Sequence, residues 1–167
     1  DAAMKGPRGG LGGALWLGGA ALVITLIVLV AFLIRPTTLN GTFFDPPKAP
    51  AEFTLQSADG PVRLSDLRGK IVAMYFGYTF CPDHCPLTFA RLAQAVRSLG
   101  NAGDEVRVVM ISVDPERDTP AITSEYVRRF SPAFIGLSGT PEQIDTVARD
   151  YGIFYKKQVV DSAAGYL

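Results

Sequence analysis

Between Leu11 and Ile34 the chain runs for 24 residues without one charged side chain. No other feature constrains the fold as strongly, because a run this long and apolar is not part of a small globular core. As an α-helix it reaches roughly 36 Å, enough to cross a hydrocarbon layer of ~30 Å with some tilt. A cleaved signal peptide has a shorter apolar core, about 7–15 residues, and a small-residue cleavage site. The Arg35-Pro-Thr-Thr-Leu-Asn40 run that follows is a poor site of that kind. Residues 11–34 are therefore expected to be a retained single-pass transmembrane helix. Lys5 and Arg8 lie in the short tail 1–10, which the preference of basic residues for the inner face places in the cytoplasm. Arg35 weakens that bias without reversing it. The rest of the chain is then expected on the outer side of a plasma or inner membrane, in the periplasm or an intermembrane space.

Gly10, Ala14 and Gly18 form a small-residue stripe that suits a neighbouring helix, although such residues are common in membrane spans anyway. Pro36, Asn40-Gly41, Asp45-Pro46-Pro47 and Pro50 interrupt regular structure, so residues 35–52 read as a semi-stiff proline-rich linker. What remains, residues 53–167, is the size of one domain. The 16 basic and 16 acidic residues cancel, and basic runs do not exceed pairs such as Arg128-Arg129 and Lys156-Lys157, which argues against nucleic acid as a partner. The chain begins with Asp1, and Met4 is a candidate natural start.

Within 53–167 the patterning alternates short apolar runs with amphipathic ones. Extended segments flank the Asp59-Gly60 turn signal and predict a hairpin. Ser65 is expected to cap a short helical turn that Gly69 ends. Lys70–Phe76 and Val106–Val113 read as buried strands. A helix-like run leaves from Pro86; Leu87–Leu99 carries apolar residues at helical spacing and stops at Gly100. Thr119-Pro120 opens a helix through about Phe130. Phe134–Leu137 is a short strand. Thr140-Pro141-Glu142-Gln143 opens a further helix with a capping box, closed by Gly152. Ile153–Val159 reads as an edge or hairpin strand. The alternation predicts an α/β domain with a mixed, largely parallel sheet flanked by helices.

Cys81 and Cys85 are the only cysteines, and they fall where the first buried strand hands over to a helix. Four residues apart on one helix turn, their Cβ atoms would lie ~5–6 Å from each other. The sulfurs could then converge on one metal ion, or bond to each other after a small backbone adjustment. A thiol near a helix N-terminus favours the thiolate, the form that binds soft metals and attacks disulfides. Two thiolates suit Cu(I) by softness, with a third ligand completing a trigonal site. An outward-facing domain also lies where a disulfide is permitted, so the pair could cycle between dithiol and disulfide.

His84, the one histidine, precedes Cys85 and points off the shared sulfur face on a regular turn. It is read as a rim residue rather than a ligand, tuning of the thiolates through its charge being the other role open to it. Asp114 and the Pro115-Glu116-Arg117-Asp118-Thr119 loop follow the second strand, at the edge where open α/β sheets place ligands. Turn chemistry and capping are the favoured explanation, and a rim that orients the cysteine loop or a docking partner is the other. Of the aromatics Tyr75, Phe76, Tyr78 and Phe80, most are expected in the core, with Tyr78 and Phe80 near the cysteines.

A dithiol after a central strand is the thioredoxin-like layout, with C-x-x-x-C here in place of the usual C-x-x-C. Phe53-Thr-Leu, Leu67-Arg-Gly-Lys70, Tyr75-Phe-Gly-Tyr-Thr-Phe-Cys-Pro-Asp-His-Cys-Pro86, Ser112-Val-Asp-Pro-Glu-Arg-Asp-Thr-Pro120 and Gly136-Leu-Ser-Gly-Thr140 resemble the Sco/SenC family. Those are membrane-anchored, thioredoxin-like proteins of copper delivery to cytochrome c oxidase. The resemblance implies copper as the metal, Cys81 and Cys85 as its thiolate ligands, and the copper-site subunit of a respiratory oxidase as the partner. It also implies a histidine as third ligand, a couple of residues beyond a segment like Gly165-Tyr-Leu167, hence past Leu167 in a domain that looks truncated there. Phe80 stands where the family usually has histidine before the first cysteine. Three functions follow as expectations. The first is a copper metallochaperone. The second is a thiol–disulfide oxidoreductase with Cys81 attacking and Cys85 resolving, a peroxidase of similar fold being a weaker variant. The third is an accessory subunit of a respiratory complex.

Overall fold

The computed structural model describes residues 11–34, 41–42, 45–47 and 49–157. The tail with Lys5 and Arg8, residues 35–40 of the linker and residues 158–167 lie outside these. The chain divides into two compact units, Asp1–Pro47 and Lys48–Leu167.

In the first unit, helix α1 spans Leu11–Leu33, 23 residues. Thr25, the one polar side chain described in it, donates its hydroxyl to the Ala21 carbonyl at 2.9 Å, inside the helix. The apolar side chains from Leu22 to Leu33 are exposed. Among the residues described with their side chains, no helix is long and apolar enough to cross a membrane.

The second unit opens with a hairpin at the expected turn: β1 (Thr54–Ser57) pairs antiparallel with β2 (Gly60–Arg63). A 3-10 turn over Leu64–Leu67 follows, and its cap is not Ser65. Asp66 instead reaches back to the Arg63 amide at 3.0 Å, so the turn is capped at Arg63, two residues earlier than the serine suggests. Strands β3 (Ile71–Gly77), β4 (Val106–Ser112) and β5 (Ile135–Leu137) form a parallel sheet in the order β3-β4-β5. A Gln56–Ser138 bridge joins the hairpin to it antiparallel, giving the expected mixed character.

Helices α2 (His84–Ser98), α3 (Pro120–Arg128) and α4 (Pro141–Asp150) connect and cover the sheet. Thr119 caps α3 by accepting from the Ile122 amide, and Thr140 and Gln143 form the capping box of α4, both as the sequence predicts. Two expectations fail. Helix α2 starts at His84, two residues before Pro86, because Pro86 lacks only an N–H that the first turn leaves unbonded anyway. The strand expected over Ile153–Val159 is absent from 153–157, where the chain is irregular and Phe154 is exposed; residues 158–159 lie outside the described part.

Strand β4 is the centre of the core, and its alternation sorts the apolar residues into two layers. Val109 and Ile111 face Phe53, Leu55, Leu137, Ile144 and Val147. Val108 and Met110 face Phe89, Ala93, Val127 and Phe134. Helix α3 lies so close to β5 that a Cβ on Gly136 would sit 2.4 Å from the Thr123 carbonyl oxygen. The parallel register aligns Gly77 with Ser112, so the loops leaving β3 and β4 emerge side by side at one edge. One carries the cysteines and the other carries Asp114–Thr119.

Candidate functional site

Strand β3 delivers the chain to Gly77, residues 78–83 turn, and α2 begins. Cys81 lies in that turn, partly exposed, and Cys85 lies in the first turn of α2, 3% exposed. Both thiols are free. The sequence placed the pair on one face of a regular helix turn, and the structure corrects this. Asp83 precedes the helix but makes no side-chain cap bond. The Cys81 sulfur takes that role from the loop and accepts the Cys85 amide at 3.3 Å. An unbonded amide at a helix start needs an acceptor, and the nearest one is sulfur.

The two thiols consequently differ. Burial pushes the Cys81 thiol up, but hydrogen bonds from the Cys85 thiol and from the amides of Cys85, Asp83 and His84 outweigh it, and its pKa lies below the ordinary thiol value. Cys85 is pushed above the ordinary value, by burial first and by its bond to the Cys81 sulfur second, with Tyr75 acting in the other direction. Within one dithiol, the exposed sulfur is the better thiolate and the buried one holds its proton.

Tyr75, which the sequence assigns to the core, is part of the site. Its hydroxyl donates to the Cys85 sulfur at 3.5 Å. Burial, followed by the contact with Cys85, pushes its pKa up to about 12, so the phenol stays protonated. Gly77 makes room, since a Cβ there would lie 2.6 Å from Tyr75 Cε1 and 3.2 Å from Cys85 Sγ. Tyr78 and Phe80 were expected near the cysteines. Phe80 is exposed beside Cys81, with the Arg117 guanidinium 4.7 Å from its ring centroid. The Tyr78 phenol is raised by burial and then by the charges of Cys81 and Cys85.

The loop after β4 does more than turn the chain. Asp118 is fully buried and accepts the Thr79 amide at 2.8 Å, the Thr79 hydroxyl, and the Ser112 hydroxyl at 2.6 Å. Thr79 lies two residues before Cys81, so this carboxylate ties the cysteine loop to β4 and to the start of α3. Asp114, also buried, pairs with Arg117. The capping expectation holds for Thr119, and the orienting one describes Asp118.

His84 is exposed at the first position of α2. Among the described residues, no three His, Cys, Asp or Glu side chains gather as a metal site. The pair therefore supplies two soft donors, a chemistry that fits Cu(I) and calls for a further ligand. The histidine expected as third ligand was placed past Leu167, and the one histidine of the sequence is His84.

A parallel sheet with a dithiol where its first strand meets a helix defines a thioredoxin-like α/β protein. Residues 45–167 match the SCO1/SenC family model, and the chain belongs to that family. It is 48% identical over 107 residues to the mitochondrial SCO1 homolog 1 of Arabidopsis thaliana, covering 63% of this chain and 32% of that one. It is similar to the solution structure of apo Sco1 from Thermus thermophilus, with TM-score 0.70 and 43% identity over 78% of this chain and 76% of that one. Against Arabidopsis thaliana ScoI with copper bound the TM-score is 0.66 and the identity 43%, over 72% of this chain and 75% of that one. The chain spans 32% and 47% of the length of the first two curated relatives it matches.

Proposed function

We propose that this protein is a membrane-anchored copper metallochaperone that carries Cu(I) on Cys81 and Cys85 and passes it to the copper-site subunit of a respiratory cytochrome oxidase. The observation that carries the reading is the free, unequal thiol pair at the edge of the sheet. Family membership and a relative solved with copper bound support the choice of metal. Copper is cargo in this scheme. A soft monovalent ion exchanges readily between thiolates. Cys81, the more exposed sulfur, is the one an incoming thiolate displaces first, and Cys85 releases last. The proposed third ligand is not His84, the one histidine of this sequence, but a histidine expected past Leu167.

Residues 11–34 are the proposed single-pass anchor, 1–10 its cytoplasmic tail, 35–52 the linker and 53–167 the working domain, on the outer side of a plasma or inner membrane. The exposed apolar side chains of α1 support an anchor, since a soluble protein rarely leaves so large an apolar surface uncovered. Thr25 bonds inside its own helix, as hydrocarbon surroundings demand.

The same inequality of the thiols favours a second reading, a reductase of the oxidase's copper-site cysteines. The Cys81 thiolate would attack one sulfur of the target disulfide and expel the other as thiolate. Cys85 would then lose its proton and attack Cys81, releasing the second target thiol and leaving the Cys81–Cys85 disulfide. Deletion in a host separates the two. Oxidase activity restored by added copper supports the chaperone, whereas restoration by a membrane-permeant dithiol alone supports the reductase and overturns the copper reading.

A further inference from the structure

In β3, Tyr75 stands where a core residue belongs, yet its hydroxyl ends on the Cys85 sulfur. Its surroundings hold it there. The ring meets the fully buried Phe89 edge-on, with centroids 5.2 Å apart and planes at 78°. The bare Gly77 lets the ring and the sulfur approach each other. In the sheet, Tyr75 lies opposite Met110 of the central strand. Cys85 is nearly closed to solvent, so bulk water does not readily substitute for this donor.

A hydrogen bond to sulfur strengthens with the electron density the sulfur carries. A thiol or thiolate carries more than a disulfide sulfur, so the Tyr75 O–H stabilises the reduced pair more than the oxidised one. We propose that Tyr75 is a positioning residue of the dithiol, holding the Cys85 sulfur and biasing the pair toward the open form that takes cargo. The inference deepens the function proposed above and rests on this dithiol being the working site. It gives the phenol a purpose in an outward compartment, where conditions favour closing the pair.

The test uses the full chain in detergent, equilibrated with mixtures of reduced and oxidised dithiothreitol. In each turnover Cys81 and Cys85 give two electrons and two protons to the oxidised reagent, forming one protein S–S bond and one reduced dithiothreitol. Tyr75→Phe keeps the ring and loses the donor, and it should raise the disulfide-to-dithiol ratio three- to tenfold at fixed buffer, tenfold being about 30 mV. Gly77→Ala, which forces the ring off the sulfur, should move the ratio the same way. Tyr126 is the control: its hydroxyl is buried without a hydrogen-bond partner, and its ring also packs on Phe89, 6.0 Å away. Tyr126→Phe should leave the ratio unchanged. A second readout is the thiolate-to-Cu(II) charge-transfer band of the chain loaded separately with Cu(II), since Cu(I) has a filled d shell and no such band; it should move to lower energy in Tyr75→Phe as the sulfur becomes a stronger donor. If neither Tyr75→Phe nor Gly77→Ala shifts the redox ratio, the inference falls whatever copper does. If the ratio shifts but the reduced parent takes up no Cu(I) against a competing chelator, the inference stands and the copper reading fails.

Discussion

Replacing Asp118 with alanine tests how the cysteine loop is held. The carboxylate is wholly buried and accepts from the Thr79 amide at 2.8 Å, the Thr79 hydroxyl and the Ser112 hydroxyl at 2.6 Å. The two hydroxyls can rotate toward other acceptors. The Thr79 amide cannot, and an orphaned buried donor costs about 1–3 kcal/mol. The lost charge-assisted bonds add to this, while removal of a buried charge offsets part, giving about 2–4 kcal/mol in all. With a urea slope of about 2 kcal/mol per molar, the unfolding midpoint should fall by about 1–2 M. All six tyrosines lie in the second unit and the single tryptophan, Trp16, in α1, so tyrosine emission resolved from that of Trp16 reports on the second unit. Because Thr79 leads into Cys81, alkylation of Cys81 in native buffer should also become faster and less selective over Cys85. A midpoint within about 0.25 M of the parent, about 0.5 kcal/mol at that slope, together with unchanged alkylation, would refute the idea that Asp118 organises this loop.

Other outcomes follow from the same geometry. Cys81 lies below the ordinary thiol pKa and Cys85 above it, so as pH rises iodoacetamide should label Cys81 first and Cys85 only at higher pH, read by peptide mass spectrometry; the reverse order contradicts the assignment. His84→Ala should leave Cu(I) affinity within about twofold, because the imidazole is exposed at the helix start and outside any cluster of ligands among the described residues; a large loss would make it a ligand. In spheroplasts, added protease should digest the cysteine domain while a cytoplasmic marker survives; joint protection would mean the orientation is wrong.

The secondary structure was readable where its causes are local. Thr119-Pro120 and Thr140 to Gln143 cap helices through bonds spanning three residues, and the Val106–Ser112 run is apolar because both its faces are covered. Helix α2 was misjudged because Pro86 resembles a first helical residue and is in fact tolerated inside the first turn. The Ile153–Val159 pattern carried apolar and aromatic residues, but among 153–157 no strand partner holds them. The cysteine pair was plain in the sequence. Its inequality was not, because it depends on the Cys81 sulfur capping the Cys85 amide from outside the helix. Asp118 and Tyr75 were hidden for a different reason. The first acts on Thr79 across 39 residues, through a register that aligns Gly77 with Ser112. The second follows the apolar pattern of a core strand, and only its hydroxyl distinguishes it from packing. A glycine two residues after a tyrosine, just before a paired thiol, was the available signal.

Titration of the full chain with Cu(I) against a competing chelator tests the account at its centre. The parent should take one equivalent tightly, and Cys81→Ser and Cys85→Ser should each lose that binding, since a hydroxyl is a poor ligand for a soft ion. Full stoichiometry and affinity in either serine variant, or no tight binding by the reduced parent, would contradict a copper site built on this pair.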